Sequence, residues 1–235
     1  AEESPDAWGG LIDLDADGEP VDRVDAAIAA SDRVGRELEQ AVRGGRVHVP
    51  RLASLDVPAR GPSYAWRHDG AYLITGGLGA IGLRLAARMI ASGVRRVVLM
   101  GRSPLPPRDR WGEVEPGSAD GIRIGAVRGL EAQGAAVHLL TADVADRASL
   151  EAALAAYRRE AWPPIVGVIH AAGDIDARLG EHVDAALFDR VARGKLLGAV
   201  HLDALLPDAP VFVACSSLMA VLGMPGLSAY AAANT

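Results

Sequence analysis

Short apolar segments alternate with amphipathic segments along most of this chain. From residue 71 onward, each apolar run is followed by a stretch in which apolar residues recur with helical spacing. The predicted strands are 71–75, 96–100, 136–140, 164–170 and 211–215. The predicted helices are 80–93, 121–134, 147–159, 186–206 and one that begins near Ser228. Strands that alternate with helices in this way predict an α/β fold with a doubly wound parallel sheet.

The first quarter of the chain has a different pattern. Residues 8–14 and 46–52 have the pattern of short strands, on either side of an Ala-rich stretch, 21–43, with helical spacing. Residues 1–62 carry 13 acidic and 7 basic side chains, whereas residues 63–235 carry 17 of each. This shift in charge, at a linker containing Pro and Gly, predicts a domain boundary. We expect the first segment to be the end of a preceding domain, because it holds too few elements for a core of its own.

The composition argues against several classes of protein. Hydrophobic residues make up 50% of the chain and charged residues 23%, as in ordinary globular domains. No apolar run approaches the roughly 18 residues that a membrane span requires, so no membrane partner is predicted. The formal net charge of −6 disfavours nucleic acid as a partner. A single cysteine, Cys215, excludes an internal disulfide and fits a reducing, cytoplasmic compartment; no metal site is predicted.

The strand 71–75 runs directly into the glycine-rich sequence TGGLGAIG. Glycines at such a place let the backbone turn tightly and approach a pyrophosphate, whose charge then lies at a helix N-terminus. A plain tight turn is the alternative, but the position between a strand and a helix favours a Rossmann-like dinucleotide site. The predicted cofactor-binding residues of this loop are Thr75, Gly76, Gly77, Leu78, Gly79, Ala80, Ile81 and Gly82.

The end of the second strand discriminates between the two nicotinamide cofactors. Sites for NAD usually carry an acid there for the ribose 2′-hydroxyl, and sites for NADP carry a base for the 2′-phosphate. This chain has Arg102 and Ser103 and no acid, and a guanidinium suits bidentate contact with a phosphate. A solvated surface arginine is the alternative. We predict NADPH as the cofactor, with Arg102 and Ser103 at its 2′-phosphate.

Two further strand ends complete the predicted cofactor site. Asp143 and Val144 follow the third strand and are expected to meet the adenine ring. The small residues Ala171, Ala172 and Gly173 follow the fourth strand, where they would let the backbone pass close to the cofactor. His170, at the end of that strand, is predicted to be structural, because no acid is placed to orient it.

Lys195 is the only lysine among 24 basic residues, and Ser217, Tyr230 and Asn234 follow it along the chain. Reducing a ketone requires a hydride on carbon and a proton on oxygen. A tyrosine can supply the proton when a nearby cation favours its phenolate form. Lys195 is the only ammonium available, and Ser217 could bond the carbonyl oxygen as negative charge develops there. These residues predict a reductase site.

The motifs resemble those of the short-chain dehydrogenase/reductase superfamily, and within it the ketoreductase domains of modular type I polyketide synthases. The resemblance is carried by TGGLGAIG, HAAG, CSS and YAAAN, and covers 63–235. WGGLIDL and GRVHVPRL, within 1–62, resemble the end of the non-catalytic structural subdomain that precedes the catalytic one. Ordinary members of the superfamily place the lysine four positions after the tyrosine. Here Asn234 has that position and Lys195 lies upstream, as in polyketide synthase ketoreductases.

The resemblance implies a role for each candidate residue. Tyr230 would be the proton donor, Ser217 the carbonyl partner, Lys195 the partner of ribose and tyrosine, and Asn234 a supporting residue. The neighbouring Ser216 is predicted to be structural, because the spacing to Tyr230 selects Ser217. The implied reaction is NADPH-dependent reduction of a β-ketoacyl chain on the phosphopantetheine arm of an acyl carrier protein, in secondary metabolism. Neighbouring polyketide synthase domains are the other implied partners.

The sequence departs from the family pattern at two places. The segment 175–177 keeps only the middle residue of the LDD signature found in ketoreductases of one stereochemical class, and Leu222 replaces the tryptophan of the opposite class. Pro225 agrees with the first class and Ala229 does not, so the LDD-type outcome is favoured. The chain also stops at Thr235, before the rest of the helix that carries Tyr230, the substrate lid and the last strands of the sheet that the family normally has. We therefore expect little activity from these residues alone.

Two other functions remain open at this point. One is a reductase-like domain kept for structure without turnover, which the intact Lys, Ser, Tyr and Asn oppose. The other is a free-standing short-chain reductase of small ketones. The exchanged positions of lysine and asparagine, together with the WGGLIDL segment, oppose that second alternative.

Overall fold

The computed structural model of the protein describes residues 3, 10–14, 24–25, 27–29, 37, 39–44, 46–56 and 64–235. The chain divides into two compact units, Ala1–Ser63 and Tyr64–Thr235. The first unit is described in part and the second throughout.

The described residues of the first unit include a three-stranded sheet. Its strands are β1 (Leu11–Asp13), β2 (Glu39–Arg43) and β3 (Arg46–His48). β1 and β2 are parallel, and β2 and β3 form an antiparallel hairpin. Residues 24–25 and 27–29 are helical. A small core lies between these elements, where Ala27 and Val42 are buried.

The predicted helix over 21–43 is wrong at its C-terminal end, where residues 39–43 form β2. Their burial alternates with a period of two, as in a strand with one buried face. Arg43 pairs with Arg46 across the hairpin, and Gly44 has a φ of +55°. Two glycines between two β-type runs signal a hairpin, and the Ala-rich segment upstream masked that signal. The remaining positions of the predicted helix, apart from 24–25, 27–29 and 37, lie outside the described residues.

The second unit is built on a five-stranded sheet. Its strands are β4 (Ala71–Thr75), β5 (Arg96–Gly101), β6 (Ala136–Thr141), β7 (Ile165–His170) and β8 (Phe212–Ala214). The spatial order is β6-β5-β4-β7-β8, and every neighbouring pair is parallel. Helices pack on both faces, which confirms the predicted doubly wound, Rossmann-like α/β fold.

The helices of this unit follow the strands in alternation. They are α1 (Ala80–Ala91), α2 (Ala119–Ala132), α3 (Arg147–Arg159), α4 (Ala185–Leu205), α5 (Met219–Leu222) and α6 (Ser228–Ala232). Side-chain oxygens of Ser118, Asp146 and Asp184 cap the N-termini of α2, α3 and α4 by accepting backbone N–H groups. None of the described helices has the length and apolar character needed to cross a membrane.

The two faces of the sheet bury two separate layers of side chains. Tyr72 and Ile74 of β4 pack with α1 and α2, whereas Leu73 of the same strand packs with α3 and α4. All five residues of β4 are therefore buried. Because both faces are covered, the strand is continuously apolar rather than alternating.

The strand order places a crevice at the carboxyl ends of β4 and β7. These strands are neighbours, but the chain continues from β4 to β5 on one side and from β7 to β8 on the other. Ligands of open α/β sheets bind at such a switch point. The loop beginning at Gly76 and the segment beginning at Ala171 leave the sheet on either side of it.

Candidate active site

Close backbone contacts shape the glycine loop after β4. The Gly77 N–H donates to the Met100 carbonyl at 3.0 Å, and the Gly79 N–H donates to the Gly76 carbonyl at 2.9 Å. Gly76 has a φ of +64°, and a Cβ added there would lie 2.8 Å from the Ala171 carbonyl oxygen. The loop thus requires glycine at this position for both conformation and space.

Gly82, in the first turn of α1, brings the helix onto the loop. A Cβ at Gly82 would lie 2.4 Å from the Gly76 carbonyl oxygen and 2.7 Å from the Gly77 Cα. The N-terminus of α1 carries no side-chain cap, unlike those of α2, α3 and α4 in the same unit. Its first backbone N–H groups are therefore available to an anion.

A cleft of about 200 Å³ opens at the switch point. The ends of four strands and one face of α4 form its walls. Its lining residues are Gly76, Met100, Gly101, Arg102, Ala142, Asp143, Val144, Ala172, Gly173, Asp174, Arg190, Arg193 and Gly194.

The cleft brings together six of the predicted cofactor residues from four strand ends. These are Gly76, Arg102, Asp143, Val144, Ala172 and Gly173. The remaining predicted residues stand outside its lining: Thr75, Gly77, Leu78, Gly79, Ala80, Ile81, Gly82, Ser103 and Ala171. Within this second set Gly77 and Gly82 shape the loop through backbone contacts, and Thr75 is fully buried.

Sequence reasoning missed the wall that α4 contributes. Arg190, Arg193 and Gly194 share one face of that helix and line the cleft. Their i, i+3, i+4 spacing marks a common face and was the available signal. Asp174, immediately after the predicted Gly173, was missed as well.

Arg102 lies at the rim of the cleft and is largely exposed. Its guanidinium is 3.6 Å from the Asp174 carboxylate, and the two side chains are 68% and 43% exposed. An ion pair this open contributes little free energy. Arg102 is therefore free to exchange this partner for a phosphate.

Lys195 lies on α4 with its side chain pointing toward the end of β8. Its Nζ donates to the Cys215 carbonyl oxygen at 2.8 Å and lies 6.0 Å from the centroid of the Tyr230 ring. The stem passes close over Gly173, where an added Cβ would lie 2.8 Å from the lysine Cε. Burial lowers the pKa of Lys195 from its ordinary value, and the neighbouring Cys215 acts in the opposite direction.

Packing between α4 and α6 positions Tyr230. Leu187 and Val191 on α4 are buried against Ala229 and Ala233, which flank Tyr230 on the short final helix. Tyr230 itself is partly buried against this cluster. The structure therefore brings Lys195 and Tyr230 together across a small apolar interface.

The two serines after β8 make different contacts. The Ser216 Oγ donates to the Asn234 backbone carbonyl at 2.6 Å, which ties the end of the sheet to the end of α6. The Ser217 Oγ accepts the Met219 N–H at 3.2 Å, at the start of α5. Ser217 is partly buried, and its hydroxyl hydrogen remains available to another acceptor.

Asn234 ends the helix that carries Tyr230. Its Nδ2 donates to the Tyr230 carbonyl oxygen at 2.7 Å. Asn234 is buried, and its Oδ1 has no hydrogen-bond partner among the residues that the structure describes. The amide thus holds the backbone of Tyr230 through its nitrogen.

The segment that departs from the LDD signature is held by an ion-pair cluster. Asp176 contacts Arg190 at 2.5 Å and Arg178 at 3.2 Å, and the Arg178 N–H donates to the Gly226 carbonyl at 2.8 Å. These contacts connect the segment after β7 with the loop between α5 and α6.

In the part of the chain that the structure describes, no group of His, Cys, Asp and Glu side chains could hold a metal ion.

A doubly wound sheet with a glycine loop at its switch point, and with Lys195 and Tyr230 facing each other beside it, defines a short-chain dehydrogenase/reductase type of fold and site. Residues 70–235 match the family described as the KR domain. The chain therefore belongs to the ketoreductase domains of polyketide synthases.

Curated relatives and solved structures agree with this assignment. The chain is 38% identical over 237 residues to a 6-methylsalicylic acid synthase of Arthrobotrys oligospora, covering 100% of this chain and 13% of that protein. It is 39% identical over 234 residues to an erythronolide synthase of Saccharopolyspora erythraea, covering 99% of this chain and 7% of that protein. The chain thus spans a small fraction of these multidomain relatives.

The fold is also that of a solved ketoreductase. The ketoreductase from the first module of phoslactomycin biosynthesis in Streptomyces sp. HK803 superimposes with a TM-score of 0.77 at 32% identity. The match covers 99% of this chain and 50% of that one. This likeness supports the reductase assignment at the level of the whole fold.

Proposed function

We propose that the protein reduces the β-keto group of a polyketide intermediate to a β-hydroxyacyl thioester with NADPH as the hydride source. The observation that carries this proposal is the Lys195 ammonium 6.0 Å from the Tyr230 ring, beside the cleft at the switch point. Membership of the ketoreductase family gives the reaction class. Tyr230 is the proposed proton donor, and Arg102 is the residue that favours NADPH as the cofactor.

Several groups around the switch point suit the parts of a dinucleotide. The uncapped N-terminus of α1 and the glycine loop suit a pyrophosphate, and Arg102 suits the 2′-phosphate that distinguishes NADPH from NADH. Asp143 and Val144 would border the adenine, and Gly173 would lie beside the nicotinamide end. When bound, the cofactor supplies the hydride to the carbonyl carbon.

The protein's own residues supply the proton. The Tyr230 hydroxyl donates it to the carbonyl oxygen, and the Lys195 ammonium favours the phenolate that this leaves. The Ser217 hydroxyl hydrogen-bonds the same oxygen while negative charge develops there. Asn234 holds the backbone of Tyr230 in place.

The wider context of the proposal follows from the relatives. They are multidomain synthases, so neighbouring synthase domains and an acyl carrier protein bearing the substrate on phosphopantetheine are the expected partners. Residues 1–62 would be the end of a structural subdomain and 63–235 the catalytic one. Cys215 is a free thiol, which suits a cytoplasmic setting.

The proposal is tested by following NADPH oxidation with a β-ketoacyl thioester in the full-length protein. Tyr230→Phe removes the proton donor, so kcat should fall by about 10²–10⁴-fold while the melting temperature stays unchanged. Tyr64→Phe is the matched control, because Tyr64 is an exposed tyrosine whose ring meets that of Trp66 edge to face. A domain kept for structure would show no turnover in any of the three proteins, and turnover retained in Tyr230→Phe would remove Tyr230 from the mechanism.

A further inference from the structure

His170 ends β7 and is 3% exposed, yet both of its ring nitrogens have partners. Its Nδ1 lies 2.7 Å from the Thr75 Oγ1, and its Nε2 lies 3.1 Å from the Lys195 backbone carbonyl oxygen. The Thr75 Oγ1 also accepts the Ala172 N–H at 3.2 Å. A continuous chain of hydrogen bonds therefore runs from the glycine segment after β7, through the end of β4, to the helix that carries Lys195.

A single tautomer of the His170 ring is consistent with every hydrogen bond in this series. A carbonyl oxygen can only accept, so the His170 Nε2–H donates to Lys195. Burial lowers the pKa of His170 and favours the neutral ring, which leaves Nδ1 as an acceptor for the Thr75 hydroxyl. The Thr75 oxygen then accepts from Ala172. The neutral tautomer protonated at Nε2 therefore satisfies every donor and acceptor in this series of hydrogen bonds.

The backbone of His170 completes a ring of contacts around Lys195. The Cys215 N–H donates to the His170 carbonyl at 2.9 Å, and the Cys215 carbonyl accepts from the Lys195 Nζ at 2.8 Å. The His170 imidazole thus binds the backbone of Lys195. Cys215, which is hydrogen-bonded to the His170 backbone, binds the Lys195 ammonium.

The helix approaches the imidazole as closely as a glycine permits. A Cβ at Gly198, three residues after Lys195, would lie 2.9 Å from the His170 Cε1 and 2.8 Å from the Val144 Cγ2. The missing side chain lets α4 pack directly on the ring. This contact sets the distance between α4 and the sheet, and therefore the position of Lys195.

We propose that His170 is a positioning residue for Lys195. Its ring links the backbone carbonyl of Lys195 to Thr75, at the end of β4, and thereby sets the position of the lysine ammonium. The link between this placement and turnover rests on the proposed function. The placement itself does not, and is measured without substrate or cofactor.

Two substitutions separate the contributions of the two ring nitrogens of His170. His170→Asn places a polar atom where Nδ1 stood, so the bond to Thr75 can persist and the bond to Lys195 is lost. His170→Gln places an N–H near the position of Nε2, so the bond to Lys195 can persist and the bond to Thr75 is lost. A general structural role of a buried histidine predicts similar effects of the two, whereas positioning of Lys195 predicts a larger effect of Asn.

The measurement follows the Lys195 side chain by NMR. In the full-length protein labelled with ¹³C at lysine Cε, the resonance that is missing from a Lys195→Arg variant belongs to Lys195, and its pH titration reports the Lys195 pKa. The wild-type group should titrate below the ordinary value of 10.5, because it is partly buried. His170→Asn should move the resonance and raise the pKa toward 10.5, while His170→Gln stays near wild type. His201→Gln leaves no polar atom at the Nδ1 position, so it removes another bond between α4 and a backbone carbonyl, that of Val144 at 3.0 Å, and should change neither property.

Turnover of the full-length protein provides the second readout. His170→Asn should lower kcat by at least about tenfold, and His170→Gln should recover most of the loss. If His170→Asn does not fold, Gly198→Ala decides, because its added methyl group would lie 2.9 Å from the His170 Cε1 and should shift the same resonance. An unchanged Lys195 titration in a folded His170→Asn or Gly198→Ala protein would overturn the inference. Absence of wild-type turnover with the expected lysine shifts would instead overturn the proposed function alone.

Discussion

β4 and β8 lie in the same sheet, and their carboxyl ends lead to the two parts of the site. All five residues of β4 are buried, and the loop after it is formed by backbone contacts shorter than a Cβ would allow. All three residues of β8 are exposed, and the part of the site after it consists of side chains from Ser217, Tyr230 and Asn234. One part is built from backbone within a buried core, and the other from side chains that follow β8.

This difference predicts two kinds of failure. Adding one methyl group to the glycine loop should disturb the core and the cofactor site together, because the same backbone atoms serve both. Removing one polar atom from Ser217 or Tyr230 should abolish chemistry and leave the fold intact, because a single polar atom contributes little apolar burial. Stability and activity should therefore be coupled at β4 and separate at β8.

The largest coupled effect is expected for Gly82→Ala. Its new Cβ would meet the Gly76 carbonyl oxygen at 2.4 Å, so the loop or α1 must move. Overpacking of this kind costs about 1–3 kcal/mol of unfolding free energy. The melting temperature should fall by roughly 2–12 °C, as expected for a domain of this size. NADPH affinity should fall by about 100-fold or more in a fluorescence titration.

Gly129→Ala is the matched control for this substitution. Gly129 lies within α2, and an added Cβ there meets no atom within 4 Å. Its melting temperature should stay equal or rise slightly, since alanine favours helix. Loss of stability without loss of NADPH affinity in Gly82→Ala would show that the loop and the cofactor site are independent.

A smaller effect, on binding alone, is expected for Arg102→Ala. Arg102 is 68% exposed and contributes little to the fold, but a charged hydrogen bond to a phosphate contributes about 1.5–3 kcal/mol. NADPH affinity should fall by roughly 10–150-fold and NADH affinity by less than about threefold. Arg110→Ala, which removes an exposed arginine paired with Glu113, should change neither. Equal losses for the two cofactors would reject Arg102 as the 2′-phosphate ligand.

The same contrast explains how much of the fold could be predicted from the sequence. β4 and β5 are buried on both faces, so they are continuous apolar runs whose ends are sharp, and the predicted 71–75 and 96–100 agree closely with the structure. The helix α2 begins at Ala119, two residues before the predicted start, because Ser118 caps it. β2 was missed because an Ala-rich segment precedes it, and because one of its two pairing partners, β1, is distant in sequence.

The candidate site divides in a similar way. Residues that directly follow strands could be predicted to meet, because parallel strands share a carboxyl edge. The contribution of Arg190 and Arg193 could not, since it depends on where α4 crosses that edge. The chain of bonds from Thr75 through His170 was also missed. Strand alternation gives the direction of these side chains but not their partners.

The account depends most on a compact ammonium at position 195, and Lys195→Arg tests it directly. The lysine stem passes within contact of Gly173 and its Nζ bonds the Cys215 carbonyl, so a planar guanidinium cannot take the same place. We expect kcat for a β-ketoacyl thioester to fall by at least about 100-fold in the full-length protein, with an unchanged melting temperature, while Arg88→Lys on the exposed side of α1 has no effect. Wild-type kcat in Lys195→Arg would contradict the account, because any cation would then suffice.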